Sequence, residues 1–280
     1  MLSRYNNIKG DVSMLDAIKK RTSIRSYENK PLTDEDKMIV KEILIDVEKK
    51  KGPFNHKAQF FYQDKINDDK KKIGTYGFVK HAPAFIGGVI ENTSQAMIDY
   101  GFLFEEIILK LTEKDFGTVW LGGTFHRDDF DIDIKDQHII PAVSPIGYPA
   151  NRSIREKIIR GFAKANQRKP LHELFFEGED LKAIDESHQY IDAFKAVQSA
   201  PSASNKQPWR IVFIKDTFHL FLKRTKGYGE RLKIDIQCID IGIALYHLMV
   251  SLEDLHLSPS LIKKKAIDLE HSDYIISVKI

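Results

Sequence analysis

The sequence predicts an α+β fold assembled from two tandem copies of one unit, and three observations predict it. Helix-like and strand-like stretches interleave along the 280 residues, the pattern of a mixed architecture. Two long amphipathic stretches, "IDYGFLFEEIILKL" (98–111) and "IDIGIALYHLMVSL" (239–252), align at a constant offset of 141. Ile98 falls on Ile239, Asp99 on Asp240, Gly101 on Gly242 and Leu111 on Leu252. Shared helical periodicity explains the apolar matches but not a paired Asp-x-Gly. Glycine inside a helix costs about 1 kcal/mol, and at a helix crossing it lets two backbones approach closely. Third, "GPFNHKAQFFYQDK" (52–65) and "APSASNKQPWRIVFIKD" (200–216) both run from a small residue and a proline through a polar loop into a strand. The first copy is expected over residues 1–176 and a shorter second copy over 177–280.

The elements follow in order. Ser13-Met14-Leu15-Asp16, Thr33-Asp34-Glu35-Asp36 and Ser153-Ile154-Arg155-Glu156 read as capping boxes, two of them with the shorter Asp. They open helices expected at 14–20, 34–49 and 154–163, and amphipathic periodicity adds helices at 94–114 and 239–255. Strands are expected at 58–63, 84–90, 118–121, 139–148, 209–214, 219–223 and 274–280, most of them rich in β-branched or aromatic residues.

Composition excludes several function classes. With 43 basic and 40 acidic residues the net charge is +3, and the lysine runs at 49–51, 70–72 and 263–265 read as solvated helix ends and loops. No aromatic RNA-binding motif accompanies them, so no nucleic-acid partner is expected. No stretch reads as a membrane span and the N-terminus has no signal-peptide core. The single cysteine, Cys238, cannot form an internal disulfide, which suits a reducing cytoplasm. Neither G-x-G-x-x-G nor G-x-x-x-x-G-K-[ST] is present, "HELFF" (172–176) lacks the second histidine of a zinc helix, and no metal site is expected. The acidic run "DDFDIDIKD" (128–136) fails as a calcium loop. Counted from Asp129, Ile134 stands where glycine is needed and Ile140 where the bidentate Glu should be.

The two copies differ in what they keep. Copy one carries "KRTSIRSY" (20–27), "FGTVWLGGTF" (116–125), "PIGYP" (145–149) and "QRKPLHEL" (167–174). Copy two has no Arg-x-Ser-x-Arg, and "SPSL" stands where "GTVW" would repeat, yet it alone keeps "PSASNKQPW" (201–209). Taken alone, "RTSIR" is a helix C-terminus with dipole-friendly cations, and the Ser/Asn loop is a polar turn entering a strand. Together the elements resemble the FMN-dependent nitroreductase family, spread from Arg21 to Trp209, and within it the branch that joins two units covalently. The order departs from ordinary members, where the Ser/Asn loop follows the first arginine segment closely.

The resemblance implies an intramolecular pseudo-dimer with mixed sheets flanked by helices, and one composite FMN site at the internal interface. Arg21, Thr22, Ser23 and Arg25, with Arg168 and Lys169 downstream, are implied to hold the phosphate, for which guanidinium groups and hydroxyls are suited. Pro201, Ser202, Ala203, Ser204, Asn205 and Gln207 are implied to hold the ribityl chain and the pyrimidine edge. Leu121, Gly122 and Gly123 are implied to lie by the reactive edge, where glycine admits close backbone approach. The implied reaction is ping-pong: hydride transfer from NADH or NADPH to flavin N5, then reduction of a small-molecule acceptor such as a nitro compound or quinone. No protein acid or base is named, since the cofactor carries the redox chemistry. The alternatives are an FMN-binding protein of little turnover, acting in storage or sensing, and a relative that dehalogenates or cleaves flavin. Trp120 and Trp209 are expected in the core, no substrate-capping helix is identifiable, and the chain is expected to be monomeric.

Overall fold

The structure, a computed structural model, describes residues 13–64, 79–150 and 167–280. The chain opens with α1 (Met14–Lys20), whose cap Ser13 accepts the Leu15 N–H and donates its hydroxyl to Asp254 across the molecule, not to a capping box. α2 (Asp34–Glu48) opens on Thr33, which accepts the Asp36 N–H while Asp36 accepts from the Thr33 hydroxyl. There follow β1 (Gln59–Asp64), β2 (Ala84–Glu91), α3 (Ser94–Glu113), β3 (Gly117–Thr118), β4 (His138–Ile139) and β5 (Val143–Gly147). A single turn, α4 (Leu171–Leu174), leads into β6 (Phe175–Glu177) and β7 (Lys182–Ala183). The second half comprises α5 (Ile191–Ser199), β8 (Trp209–Ile214), β9 (Thr217–Leu222), α6 (Ile236–Asp254), β10 (Ser260–Ile262) and β11 (Asp273–Lys279).

Sheet order shows the duplication directly. The first sheet runs β1-β2-β5-β3 and the second carries β8-β9-β11-β10 in the same order, every neighbouring pair antiparallel. The second sheet has an addition: β6 pairs in parallel with β8, Phe176 opposite Val212, and β7 follows it. The boundary expected between residues 176 and 177 therefore falls inside a strand that hydrogen-bonds to the second sheet. The copies differ also between their second strand and their long helix. Asn92 and Thr93 alone join β2 to α3, whereas Lys223–Asp235 joins β9 to α6.

The long helices α3 and α6 cross at the centre, and the crossing is isologous. A Cβ placed on Gly101 would overlap the Ile239 carbonyl oxygen, and one on Gly242 would overlap the Ile98 carbonyl oxygen. Ile98 and Ile239 are themselves equivalent at the offset of 141, so each glycine admits the other helix's matching backbone. Residues that contact their own equivalent mark an internal two-fold axis. Asn92 Nδ2 donates to the Lys233 carbonyl at 3.1 Å, and Ser94 Oγ lies 3.5 Å from Asp235, both pairs separated by 141 residues. The duplicated pattern of the sequence is thus an intramolecular pseudo-dimer.

Several expectations are refined by the structure. The segment 139–148 is interrupted at Ile140–Ala142, giving β4 and β5, and 118–121 keeps only the β3 pairing plus a bridge from Leu121 to Val143. α6 begins at Ile236, three residues before its expected start, and α5, β6, β7 and β10 were not expected at all. The helix expected at 154–163 and the lysine run 70–72 lie outside the described residues. Among the described residues one helix, α6, has the length and mean hydropathy of a membrane span, though, as expected, no unbroken apolar run of that length. It is mostly buried as the core helix of the crossing, which accounts for its composition.

Candidate functional site

The loop between α5 and β8 is held in a demanding conformation. Ser204, Asn205 and Gln207 have φ of +48°, +56° and +50°, a left-handed region in which non-glycine residues are uncommon. The surroundings over-determine it. Gln207 N–H donates to Ser202 Oγ at 3.0 Å, and the buried Gln207 amide donates to the Asn205 carbonyl at 3.1 Å and to Asn205 Oδ1 at 3.2 Å. Asn205 Nδ2 donates to the Gln167 carbonyl, Arg168 donates to Asn205 Oδ1, and Lys169 N–H donates to Gln207 Oε1 at 2.9 Å. From the central crossing, Asp240 on α6 accepts the Ala203 N–H at 2.9 Å.

The equivalent carboxylate in copy one behaves differently. Asp99 accepts N–H groups of Phe54 at 2.7 Å and His56 at 2.9 Å, and lies 2.7 Å from His56 Nδ1. A Cβ on Gly52 would overlap Asp99, so this loop is seated directly upon its helix. Asp240 commits only Oδ1; its Oδ2 is buried without a hydrogen-bond partner. Burial pushes the Asp240 carboxyl well above the usual carboxylate range, against the lowering effect of the Ala203 N–H.

The arginine segment comes from the opposite side of the interface. After α1 ends, residues 21–25 are extended, with Ser23 bridging to Thr118 and Ile24 N–H donating to the Thr118 carbonyl. Isolated bridges hold this segment, and Arg21, Thr22, Ser23 and Arg25 all reach a common cavity. Burial lowers the Arg21 pKa, partly countered by Glu105, and Arg21 Nε is buried without a partner.

These segments enclose a cavity of about 450 Å³. Of the residues singled out in the sequence, Arg21, Thr22, Ser23, Arg25, Gly122, Arg168, Pro201, Ser202, Ala203, Ser204 and Asn205 line it. Four stand behind or beside it. Leu121 is buried in the pairing with Val143, and Gly123 is exposed next to Leu232. Gln207 and Lys169 brace the loop from outside through their mutual hydrogen bond. Trp209 is fully buried, as expected, but Trp120 lines the cavity and is only half-buried. Its indole N–H donates to Glu105 at 2.7 Å, and Glu105 in turn lies 2.9 Å from His247, both residues fully buried at the helix crossing. Sequence reasoning missed Asp240, Ile236, Ile239 and Ile243 as cavity residues. The Asp-x-Gly repeat that located the crossing was the available signal for Asp240.

The chain matches the family described as "Putative TM nitroreductase" over residues 13–252. A solved "putative nitroreductase" of Thermotoga maritima aligns with 99% of this chain and 96% of its own at 18% identity, with a TM-score of 0.60, so the fold is shared from end to end. A nitroreductase family protein of Clostridium difficile aligns with 57% of this chain and 94% of its own, at 18% identity and a TM-score of 0.41. An FMN-dependent nitroreductase of Clostridium difficile aligns with 49% and 88%, at 17% identity and a TM-score of 0.37. No curated protein matches the sequence.

Proposed function

The chain belongs to the family described as "Putative TM nitroreductase", and on that premise we propose that it is an FMN-dependent oxidoreductase with one composite flavin site. Its electron donor is NADH or NADPH, and its acceptor a small molecule such as a nitro compound or quinone. The observation that carries this reading is a single cavity lined from both copies, by Arg21, Ser23, Arg25 and Arg168 from one and by Ser202–Asn205 from the other. The residues fit the group. A volume of about 450 Å³ lies within the range of cofactor sites, and two lining residues, Arg21 and Asp240, each hold a buried polar atom without a partner.

When bound, FMN supplies the two-electron redox chemistry. The chain supplies binding and orientation. Arg21 and Arg25 bring guanidinium donors suited to phosphate oxygens, and the Ser202–Asn205 loop, fixed in advance by its hydrogen bonds, costs little further ordering on binding. Val119, Ala142, Ile236 and Ile243 provide the apolar wall that excludes water from a flat ring. A Cβ on Gly122 would come within 2.8 Å of the Ile236 Cδ1 tip, so a side chain there would require Ile236 to shift.

The test is the visible spectrum of protein incubated with FMN and freed of excess, then reduced anaerobically with NADH or NADPH. A retained flavin band that bleaches supports the reading. A band that persists without bleaching favours a flavin-binding protein of little turnover, and no band overturns the cofactor. Arg21→Ala and Asn205→Ala, from opposite halves, are each expected to weaken FMN binding roughly ten- to hundredfold, as the loss of a charge-assisted or bracing hydrogen bond does. Unchanged affinity in Asn205→Ala would refute the composite site.

A further inference from the structure

One departure from the internal two-fold lies beside the cavity. The connection formed by Asn92 and Thr93 in copy one becomes Lys223–Asp235 in copy two. This insertion reaches both rims. Tyr228 donates its hydroxyl to Ser204 Oγ at 2.9 Å on the Ser/Asn loop, and Leu232 stands where a Cβ on Gly123 would meet it at 3.6 Å. Beneath the insertion is a second cavity of about 540 Å³, which shares Ile236 with the first.

Its charge is one-sided. Lys226 and Lys233 line the second cavity, Arg231 lies on the same loop, and all three are exposed with no ion pair among the described residues. Lys206 adds a fourth cation, 5.3 Å from the Tyr228 ring. Of the acids nearby, Asp235 is paired with Arg224, accepting both of its Nη groups at 3.1 and 2.8 Å. Glu230, which also lines the cavity, accepts only the neutral Gly227 N–H at 3.0 Å and keeps its charge, so it offsets one of these four cations. Cations left unneutralised around a concave site favour a dianionic phosphomonoester over a singly charged phosphodiester.

We propose that the insertion is the specificity element for the second reactant: its cavity takes the phosphomonoester of a nucleotide, and so selects the 2′-phosphorylated donor NADPH over NADH. The donor role rests on the oxidoreductase reading of the adjoining cavity; the phosphomonoester site does not.

Titration calorimetry with the oxidised nucleotides NADP+ and NAD+, which differ only in the 2′-phosphomonoester, tests this without any turnover, on wild type and on the double variant Lys226→Gln/Lys233→Gln. Wild type is expected to bind NADP+ roughly tenfold more tightly, as paired charge-assisted hydrogen bonds provide. The double variant should bring the two ligands within about twofold while retaining the wild-type flavin affinity, since neither lysine lines the first cavity. Equal affinities in wild type, or discrimination that survives the double variant, would overturn the proposal. So would inorganic phosphate competing as strongly as NADP+, which would assign a free-anion site. Flavin retention measured on the same samples separates the two readings. Discrimination without retained flavin sinks the oxidoreductase and keeps the site; bleaching by both donors with equal nucleotide affinities sinks the site alone.

Discussion

Asp99 uses both carboxylate oxygens on its own loop, through Phe54 and His56, while Asp240 gives one to Ala203 and keeps the other buried without a partner. The same residue at the same helix position therefore spends both oxygens on its loop in one copy and only one in the other. Burial raises the folded-state pKa of Asp240 above its unfolded value. Between those two values the folded protein holds a proton that the unfolded chain has released. The contribution is fully present below about pH 3.9 and is lost as pH rises toward the raised value. Asp240→Asn keeps an acceptor for Ala203 and cannot ionise. Its stability relative to wild type should therefore increase with pH from about 4 upward, read from urea unfolding of flavin-free protein at a series of pH values. Parallel stability curves would show that the Asp240 carboxyl is not held protonated.

At the scale of elements, the α3–α6 crossing depends on two glycines. Gly242→Ala would drive a methyl group into the Ile98 carbonyl and within 2.7 Å of the Phe102 nitrogen, both backbone atoms that cannot turn aside. Helix propensity alone would favour alanine by about 1 kcal/mol, so a net loss of roughly 1–3 kcal/mol in denaturant unfolding is expected, and a gain would show that the helices can part freely. These elements were legible in the sequence because their signals are local. α1 has its expected bounds, and the strand 209–214 is read from a run of apolar and β-branched residues. α5 escaped because Tyr190 caps it without a side-chain hydrogen bond, leaving no start signal. β6 and β7 are short and owe their pairing to β8, a partner distant in sequence. The site divides in the same way. Residue types identified Arg21, Arg25 and Ser202–Asn205, but only tertiary packing distinguishes Ser204, which lines the cavity, from Gln207, which braces it. It likewise brings Trp120 to the cavity through Glu105.

At the scale of the whole molecule, a two-fold framework carries complementary halves of one site. Saturating FMN should bind at one equivalent per chain, measured by absorbance after gel filtration with the protein quantified independently; two equivalents would contradict the composite arrangement. Light scattering on the same samples should give the mass of a single chain, since the isologous surface is occupied within it. β6 adds a physical tie, because removing the first half would strip a strand from the second sheet and expose the edge of β8. The seating of Phe54 and His56 on Asp99 has a consequence for behaviour as well as for shape. A symmetric dimer with two open sites can let the first ligand alter the affinity for the second. With its matching loop fastened to the helix, this chain is expected to take no second ligand of the same kind, and its flavin saturation curve should be a plain hyperbola.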